Sequence, residues 1–466
     1  MALPWLTLHG LVTLMALLVY VMASHVMQQR RHPSAAIGWV LFILLLPYAA
    51  LPLYLLFGAR KLARKGMPVP NQLQGPLGSD KDIWLAQVTA ALGQPPPAAY
   101  HDLSIHPDGG AALRALLEVI DGARHTLDVC TFIISADLVG AVVCEHMAAR
   151  ACAGVKVRLL LDGAGRIMGG QADLSTLTAA GGAVGLFVPS LHAPFRGHLN
   201  LRNHRKMVVA DTGHQEERFW CGGRNLAAEY FEGELGVPAW HDLSFDARGP
   251  LVRQAAALFQ NDWAFAIGEE SSAPASLPLD AADSCSEPAH GAQVIASGPD
   301  QSDDTVHALL VSAAYQARTR MALVSPYVVL EDALLMALCM AARRGVKVDL
   351  LLPARSNHRL ADIVRHRSLR ELAGAGVRIW MAPQMLHAKA VVVDDVMAVA
   401  GSANLDGRSL FLNYELMVAF HDPADVGRFG AWFESEKSSA APYVARPPTL
   451  WRDIGEGLML WIGFQI

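Results

Sequence analysis

The chain has 466 residues, with 38 Lys and Arg against 43 Asp and Glu and a formal net charge of -5 at pH 7. This length allows two or more domains, and the near balance of charge excludes the strongly basic surface that nucleic-acid-binding proteins use. The hydrophobic fraction of 52% is high for a soluble enzyme, and the excess is concentrated at the N-terminus. Because the overall charge is nearly balanced, any affinity for phosphate must come from a local cluster of residues.

Two long apolar runs open the chain. Residues 1–29 and 34–59 contain no Asp, Glu, Lys or Arg, and each is as long as the run of about 20 residues that a helix needs to cross the hydrocarbon core. A cleaved signal peptide is disfavoured, because the first run has no basic n-region and a second run follows after a short break. We therefore predict a pair of transmembrane helices with a basic flank over residues 1–65.

Basic residues near these runs predict the orientation. Arg30 and Arg31 lie between the runs, and four basic residues follow the second one, namely Arg60, Lys61, Arg64 and Lys65. Because the more positive side stays in the cytoplasm, both chain termini and the catalytic part are predicted to be cytoplasmic.

Segments rich in Pro, Gly and polar residues divide the rest of the chain. Residues 66–99 and 268–291 are predicted to be linkers, which leaves two half-domains at 100–267 and 292–440. The last segment, 441–466, is predicted to contain an amphipathic helix. Its apolar stripe fits either core packing or contact with a membrane interface, and consists of Leu450, Trp451, Ile454, Leu458, Trp461 and Ile462.

The two half-domains are similar in sequence. The segment Gly154–Leu161, with sequence GVKVRLLL, is echoed by Gly345–Leu352, with sequence GVKVDLLL. In both halves a helix, an apolar strand and an Ala-rich helix precede this segment. Alternating helices and short apolar strands predict an α/β fold with mostly parallel sheets flanked by helices.

A motif with chemical content occurs once in each half. The pattern H-x-K-x4-D followed by G-[GS]-x-N places the candidate catalytic residues at His204, Lys206, Asp211, His387, Lys389 and Asp394, and its asparagines at Asn225 and Asn404. One match could be accidental, whereas two at equivalent places in a duplicated chain are a strong signal.

The spacing within the motif indicates how it acts. His and Lys two residues apart on a strand face the same side. Two imidazoles and two ammonium groups then form a cationic site for a phosphodiester, in which one imidazole attacks phosphorus and the other protonates the leaving alkoxide. The aspartates lie at odd spacing from the histidines, so we expect structural roles for them. The asparagines can donate to a phosphate oxygen, and no metal or other cofactor is required.

These motifs resemble those of the phospholipase D superfamily, and within it the bacterial cardiolipin synthases. The resemblance covers nearly the whole chain and includes Arg31–Ala35, Tyr54–Gly58 and Ser325–Tyr327. It implies two half-domains related by a pseudo-two-fold axis, and a multi-pass protein of the bacterial inner membrane. Its partners would be phospholipids and not nucleic acid. The sequence does not specify an oligomeric state.

The resemblance also implies a reaction. A phosphatidyl group would pass from one phosphatidylglycerol to the hydroxyl of a second, with release of glycerol. His204 would form a phosphohistidine and His387 would act as general acid and then base, although the symmetric motifs leave the reverse assignment open. In the family a carboxylate after each motif orients a histidine, and Asp242 and Glu415 stand at those places. The alternative for both is a surface ion pair.

One departure from the pattern concerns the first motif. The spacer between Asp211 and Gly222 is longer than that between Asp394 and Gly401. It predicts an extended hairpin loop after the catalytic strand, and leaves the equivalence of Asn225 and Asn404 open.

Three other functions remain open from the sequence. A phospholipase D would use water or another alcohol instead of a second lipid, and exclusion of water decides between these outcomes. A nuclease of the same superfamily is disfavoured by the apolar N-terminus and the lack of a basic surface. A catalytically inactive membrane scaffold is disfavoured because both motifs are intact.

Overall fold

The computed structural model describes residues 2–26, 33–57, 83–188, 200–233, 236–269, 291–448 and Glu456. At the N-terminus it contains α1 (Ala2–Val26), α2 (Pro33–Leu45) and α3 (Pro47–Phe57). The second apolar run thus forms two helices. Pro47 has no N–H and disfavours helical backbone at the preceding residue, so one helix ends at Leu45 and the next begins at Pro47.

The three N-terminal helices pack around a small core of their own. It contains Ala16, Tyr20, Ile43, Ala50 and Tyr54. Among the described residues no helix combines the length and apolar character needed to cross a bilayer. The transmembrane pair therefore stays a prediction, and the basic residues at positions 30, 31, 60, 61, 64 and 65 lie outside the described residues.

Part of the first predicted linker is ordered. Residues 83–99 form α4 (Ile83–Ala91) and β1 (Ala98–Ala99), so the prediction of a linker is wrong for this part. Leu85 is buried in the core of the second half-domain, and Ala98 pairs with Ala292. The apolar face of a short helix and an unpaired strand edge explain this docking. Residues 66–82 and 270–290 lie outside the described residues.

The first half-domain contains one mixed sheet with helices on one face and a long final helix on the other. Its strand order is β2-β8-β7-β6-β3-β4-β5. Its elements are β2 (His101–His106), α5 (Gly109–Gly122), β3 (Thr126–Thr131), α6 (Leu138–Cys152), β4 (Lys156–Asp162), α7 (Gly163–Met168), α8 (Ser175–Ala179), β5 (Ala183–Phe187), β6 (Met207–Ala210), β7 (Arg218–Gly222), β8 (Ser244–Arg248) and α9 (Leu251–Ile267).

The second half-domain repeats this arrangement. Its sheet has the order β1-β9-β17-β15-β14-β10-β12-β13-β18, and β11 pairs with β16 separately. Its elements are β9 (Gly291–Ser297), α10 (Thr305–Gln316), β10 (Arg320–Val324), β11 (Val328–Val329), α11 (Asp332–Arg343), β12 (Lys347–Pro353), α12 (Arg359–Gly374), β13 (Arg378–Ala382), β14 (Ala390–Val393), β15 (Met397–Gly401), β16 (Leu405–Asp406), α13 (Gly407–Phe411), β17 (Glu415–Phe420), α14 (Pro423–Ser438) and β18 (Ala441–Pro442).

The prediction of mostly parallel sheets is wrong. Within the two large sheets only β3-β4-β5 and β10-β12-β13 pair in parallel, and every other described neighbour is antiparallel. The helical crossovers predicted from the repeat connect these parallel strands. After them each half continues through antiparallel strands, of which β6 and β14 directly follow the H-x-K residues, and β7 and β15 end at the first glycine of the G-[GS]-x-N motif.

The two sheets bury a shared core between the half-domains. Phe187, Met207 and Phe245 from the first half belong to the same cluster as Tyr414 and Phe420 from the second. Alternate residues of β6 face the opposite way, since Val208 and Ala210 belong to the core of the first half alone. Both faces of the motif strands are therefore buried, which explains their continuous apolar sequence.

The C-terminal segment is described only in part. Residues 441–448 contain β18 and no helix, so the predicted final helix does not begin at residue 441. Residues 449–455 and 457–466 lie outside the described residues. Glu456 is buried and accepts a hydrogen bond of 2.6 Å from Arg370, which attaches this point of the tail to α12.

Candidate active site

Each motif histidine lies where the two half-domains meet. His204 and Lys206 precede β6, and His387 and Lys389 precede β14, so these residues lie outside the strands. The backbone N–H of His204 donates to the carbonyl of Tyr414 at 2.9 Å, across the boundary between the halves. The corresponding bond in the second motif joins the N–H of His387 to the carbonyl of His241 at 2.6 Å.

Carboxylates from the opposite half hold both imidazole rings. Nδ1 of His204 lies 3.1 Å from Glu415 Oε2, and Nδ1 of His387 lies 2.7 Å from Asp242 Oδ2. Both carboxylates are buried. A carboxylate at Nδ1 favours the tautomer that carries its proton there, which leaves a lone pair on Nε2. The arrangement is reciprocal, since each half supplies the positioning acid for the other.

Electrostatics at these pairs favour neutral imidazoles beside charged carboxylates. Burial lowers the pKa of His204 and that of His387, against the opposing effect of Glu415 and Asp242. Burial alone would raise the pKa of Asp242, but His387 and Lys389 outweigh it and lower the value to about 2. A neutral imidazole can attack phosphorus, and an anionic phosphodiester entering the site would favour protonation of the second ring.

The two motif lysines lie beneath the histidines. Lys206 Nζ donates to the carbonyl of His204 at 2.9 Å, and Lys389 Nζ lies 2.8 Å from the His387 ring and also donates to the His387 carbonyl. Both side chains are almost fully buried. Burial lowers the pKa of Lys206 to about 8 and that of Lys389 to about 7. Their charge is therefore held in a region of low dielectric, where it acts strongly on a bound phosphate.

We expect kcat/KM for an anionic phospholipid to fall as pH rises from 7 to 9. A lysine with a lowered pKa is charged below that pKa and neutral above it, so attraction for phosphate is lost through the range set by Lys389 and Lys206. Bound phosphate raises both pKa values, so kcat should decline at higher pH than kcat/KM. Initial rates across this range test the prediction, and a kcat/KM that is constant from pH 7 to 9 would contradict it.

The motif aspartates lie away from the histidines. The Asp211 carboxylate accepts hydrogen bonds from the backbone N–H groups of Arg124, His125 and Thr126, and Asp394 holds the equivalent turn before β10. Both aspartates have a positive φ, of 53° and 49°, which Asp tolerates better than most residues. These residues fix the end of the motif strand to the start of its neighbour, and they do not contact the histidines.

The motif asparagines line one cavity with the histidines. Asn225 Nδ2 donates to the Tyr230 hydroxyl at 2.8 Å. The Oδ1 atoms of Asn225 and Asn404 are buried and accept no hydrogen bond from the described residues. Despite the longer spacer, both asparagines line the same cavity.

The glycines of the first turn are required by close packing. A Cβ on Gly222, which has a φ of 155°, would lie 2.3 Å from the Leu243 carbonyl oxygen, and a Cβ on Gly223 would lie 2.3 Å from an oxygen of Asp242. In the second motif Ser402 replaces this glycine, and its hydroxyl donates to Glu415 Oε2 at 2.5 Å. Glu415 thus accepts from a serine hydroxyl, whereas a glycine stands at the equivalent place beside Asp242.

The cavity has a volume of about 480 Å³ and receives side chains from both halves. His204 and His387 both line it, so the two rings open into one space. Phe132 packs edge-on against the His204 ring, with 5.2 Å between the ring centroids, and Tyr230 packs in the same way against the His387 ring, with 5.0 Å between the centroids. Apolar walls around two imidazoles suit a phosphodiester that carries an apolar tail. In the described part of the chain, no group of three or more His, Cys, Asp or Glu residues could hold a metal ion.

Two buried arginines were missed by the sequence reasoning. Arg205 forms a buried ion pair with Asp262 and donates to the carbonyl of Glu415. Arg224 lies inside the first G-G-R-N turn and holds the backbone around Asp242. Its guanidinium donates to the carbonyls of Tyr230, His106, Pro107 and Asp242 and to the Ser244 hydroxyl. Both motifs of the first half contain an arginine where the corresponding motif of the second half has alanine. This difference between the halves could have pointed to Arg205 and Arg224.

Comparison with known proteins gives a consistent family. Residues 116–263 and 310–437 match the family described as cardiolipin synthase, PLD-like domain. Residues 12–58 match a phospholipase D-nuclease N-terminal family. Cardiolipin synthase A of Pseudomonas entomophila (strain L48) is 30% identical over 93% of both chains. Cardiolipin synthase A of Shigella boydii serotype 4 (strain Sb227) is 29% identical over 89% of this chain and 90% of its own.

A solved structure with the same fold is more distant in sequence. Phosphatidylserine synthase of Haemophilus influenzae Rd KW20 superposes with a TM-score of 0.59 at 12% identity, over 81% of this chain and 96% of its own. At this identity the likeness shows the fold alone. The family match and the length over which the relatives align show that the chain belongs to the cardiolipin synthases, phosphatidyltransferases with two phospholipase D-like domains.

Proposed function

We propose that the chain transfers a phosphatidyl group from one phosphatidylglycerol to the primary hydroxyl of another, with cardiolipin and glycerol as products. The observation that carries this proposal is that His204 and His387 line one cavity, each held by a carboxylate of the opposite half. Such a pair can serve two successive displacements at one phosphorus atom.

In the first displacement Nε2 of His204 attacks the donor phosphorus, and the bond from phosphorus to the oxygen of the headgroup glycerol breaks. Protonated His387 gives its proton to that oxygen, and glycerol leaves. In the second displacement His387 accepts the proton of the acceptor hydroxyl, whose oxygen attacks phosphorus and releases His204. Lys206 and Lys389 offset charge on the remaining phosphate oxygens, and Asn225 and Asn404 orient the headgroup.

The purified full-length protein, incubated with phosphatidylglycerol in detergent micelles, tests this function. Cardiolipin and glycerol should appear in equal amounts. Phosphatidic acid as the sole lipid product would instead indicate hydrolysis by a phospholipase D. The apolar residues of the cavity wall, among them Ile133, Val329 and Val364, favour transfer, because they limit access of water to the phosphohistidine.

The N-terminal helices are proposed to hold the enzyme in the bacterial inner membrane, with the catalytic halves in the cytoplasm. Apolar side chains lie on the outside of this helix group as well as in its core, among them Leu11, Leu18, Met22 and Leu45. A helix that is apolar on all sides is typical of a lipid environment. The full-length protein should stay in the membrane pellet after extraction at alkaline pH. Release into the supernatant would contradict integral attachment.

A further inference from the structure

Two arginine side chains line the cavity beside the histidines. Arg202 comes from the first half, two residues before His204. Arg408 comes from α13 of the second half, four residues after Asn404. Each half therefore contributes one arginine in addition to its motif lysine.

The partners of these two arginines are mainly neutral. Arg408 donates to the side-chain and backbone oxygens of Asn200 at 3.2 and 2.9 Å. It makes no ion pair within 4.0 Å with any residue that the structure describes. Arg202 donates to the carbonyl of Leu201, and its one carboxylate neighbour in the described ranges, Asp162, lies 4.0 Å away. Since a guanidinium has five N–H donors, each arginine has donors that no described residue occupies.

The nearby carboxylates also accept hydrogen bonds from backbone N–H groups. Oxygens of Asp162 accept from the backbone N–H groups of Ala164, Gly165 and Asn203, and Asp406 accepts from the N–H of Ser409. Burial, and then the charge of Arg202, lowers the pKa of Arg408 against the opposing effects of Asp406, Asp162 and Glu415. The two guanidinium groups thus repel each other in a partly buried place, and an anion between them would relieve that repulsion.

The reacting phosphate has cations of its own. Lys206 and Lys389 contact the two histidines directly. Two cations other than the arginines therefore lie next to the phosphate that would bind between the rings. The acceptor phosphatidylglycerol, however, brings a second phosphodiester, separated from its attacking hydroxyl by the length of one glycerol. Water and free glycerol bring none.

We propose that Arg202 and Arg408 bind the phosphodiester of the acceptor phospholipid. This inference rests on the proposed function and explains how that function selects a lipid acceptor over water. Paired guanidinium groups suit a phosphodiester because they donate along two directions at fixed geometry. The site would hold the acceptor with its hydroxyl at the phosphohistidine without taking part in bond formation.

The test compares two acceptors that share one donor step. Full-length Arg202→Gln and Arg408→Gln proteins are assayed for cardiolipin formation and for exchange of radiolabelled glycerol into phosphatidylglycerol. In the exchange reaction labelled glycerol attacks the phosphohistidine, which is the reverse of the first displacement. Glycerol, the acceptor in this reaction, carries no phosphate. Loss of a charged hydrogen bond costs roughly tenfold to a hundredfold. We expect the ratio of cardiolipin formation to glycerol exchange to fall by about that factor.

Charge-conserving variants and an exposed arginine serve as controls. Arg202→Lys and Arg408→Lys should keep more of the ratio than the Gln variants, because a point charge still attracts phosphate. Arg359→Gln, at the exposed start of α12, should leave the ratio as in the wild type. The inference would be overturned if the ratio of cardiolipin formation to glycerol exchange were unchanged in both Gln variants. It would also be overturned if cardiolipin formation and glycerol exchange fell equally in the Gln and Lys variants. Wild-type protein that forms only phosphatidic acid would refute the proposed function itself.

Discussion

Replacing His204 or His387 with Ala is expected to lower kcat for cardiolipin formation by about 10²- to 10⁴-fold in each case. At about 1.4 kcal/mol for each factor of ten, the loss corresponds to roughly 3 to 5 kcal/mol of barrier. Both residues line the same cavity and both are held at Nδ1, so neither can replace the other. The double variant should be little worse than either single one, because the two rings act in one sequence of steps.

The covalent step separates the roles of the two rings. Wild-type protein quenched during turnover should carry a phosphatidyl group on the peptide that contains His204, detectable by mass spectrometry under mildly alkaline conditions. Label on the peptide of His387 would reverse the assignment. His146→Ala is a matched control, since His146 is partly exposed and pairs with Asp121, and it should retain full activity. A His204→Ala protein of wild-type activity would contradict the mechanism.

Much of this site follows from sequence because the duplication repeats its chemistry. The octets at Gly154–Leu161 and Gly345–Leu352 become equivalent strands, β4 and β12, each in the parallel part of its sheet. The odd spacing of Asp211 from His204 predicted that the two would not act together. Residues at odd spacing on extended backbone point to opposite faces, and in the structure the Asp211 carboxylate accepts from the backbone N–H groups of Arg124, His125 and Thr126.

Other features depend on contacts that local patterns do not record. Continuous apolar strands are typical of parallel sheets, but here β6 and β7 are buried on both faces because the second half-domain covers one of them. The prediction that the sheets are mostly parallel was therefore wrong for these strands. The docking of α4 on the second half was also missed, since the Pro-rich sequence around it is typical of a linker.

The exchange of carboxylates between the halves is a further tertiary feature. Asp242 and Glu415 were selected by their place after each motif, and that place does not say which histidine each one meets. The pairing is decided by the backbone hydrogen bonds that join His204 to Tyr414 and His387 to His241. These bonds bring the start of each motif next to the carboxylate of the opposite half.

The reciprocal pairing leads to the second large effect. Asp242→Asn should lower kcat by about 10²-fold or more, although the residue belongs to the half that does not contain His387. The asparagine oxygen can accept a hydrogen bond from Nδ1–H, or its amide can donate one, but asparagine has no charge to stabilise the imidazolium that serves as the general acid. Glu415→Gln should act on His204 in the same way, with Ser402 retaining one of the hydrogen bonds.

The pH dependence distinguishes positioning and charge from a loss of folding. Asp242 raises the pKa of His387, so its removal lowers that pKa further and makes the protonated ring rarer at neutral pH. The Asp242→Asn protein should therefore regain relative activity as pH falls below 7, the opposite of what acid unfolding would do. Asp128→Asn, which breaks an ion pair with Arg158 away from the cavity, should keep the wild-type profile. An Asp242→Asn protein with a lower melting temperature but unchanged kcat and pH profile would mean that this carboxylate supports the fold and not the histidine.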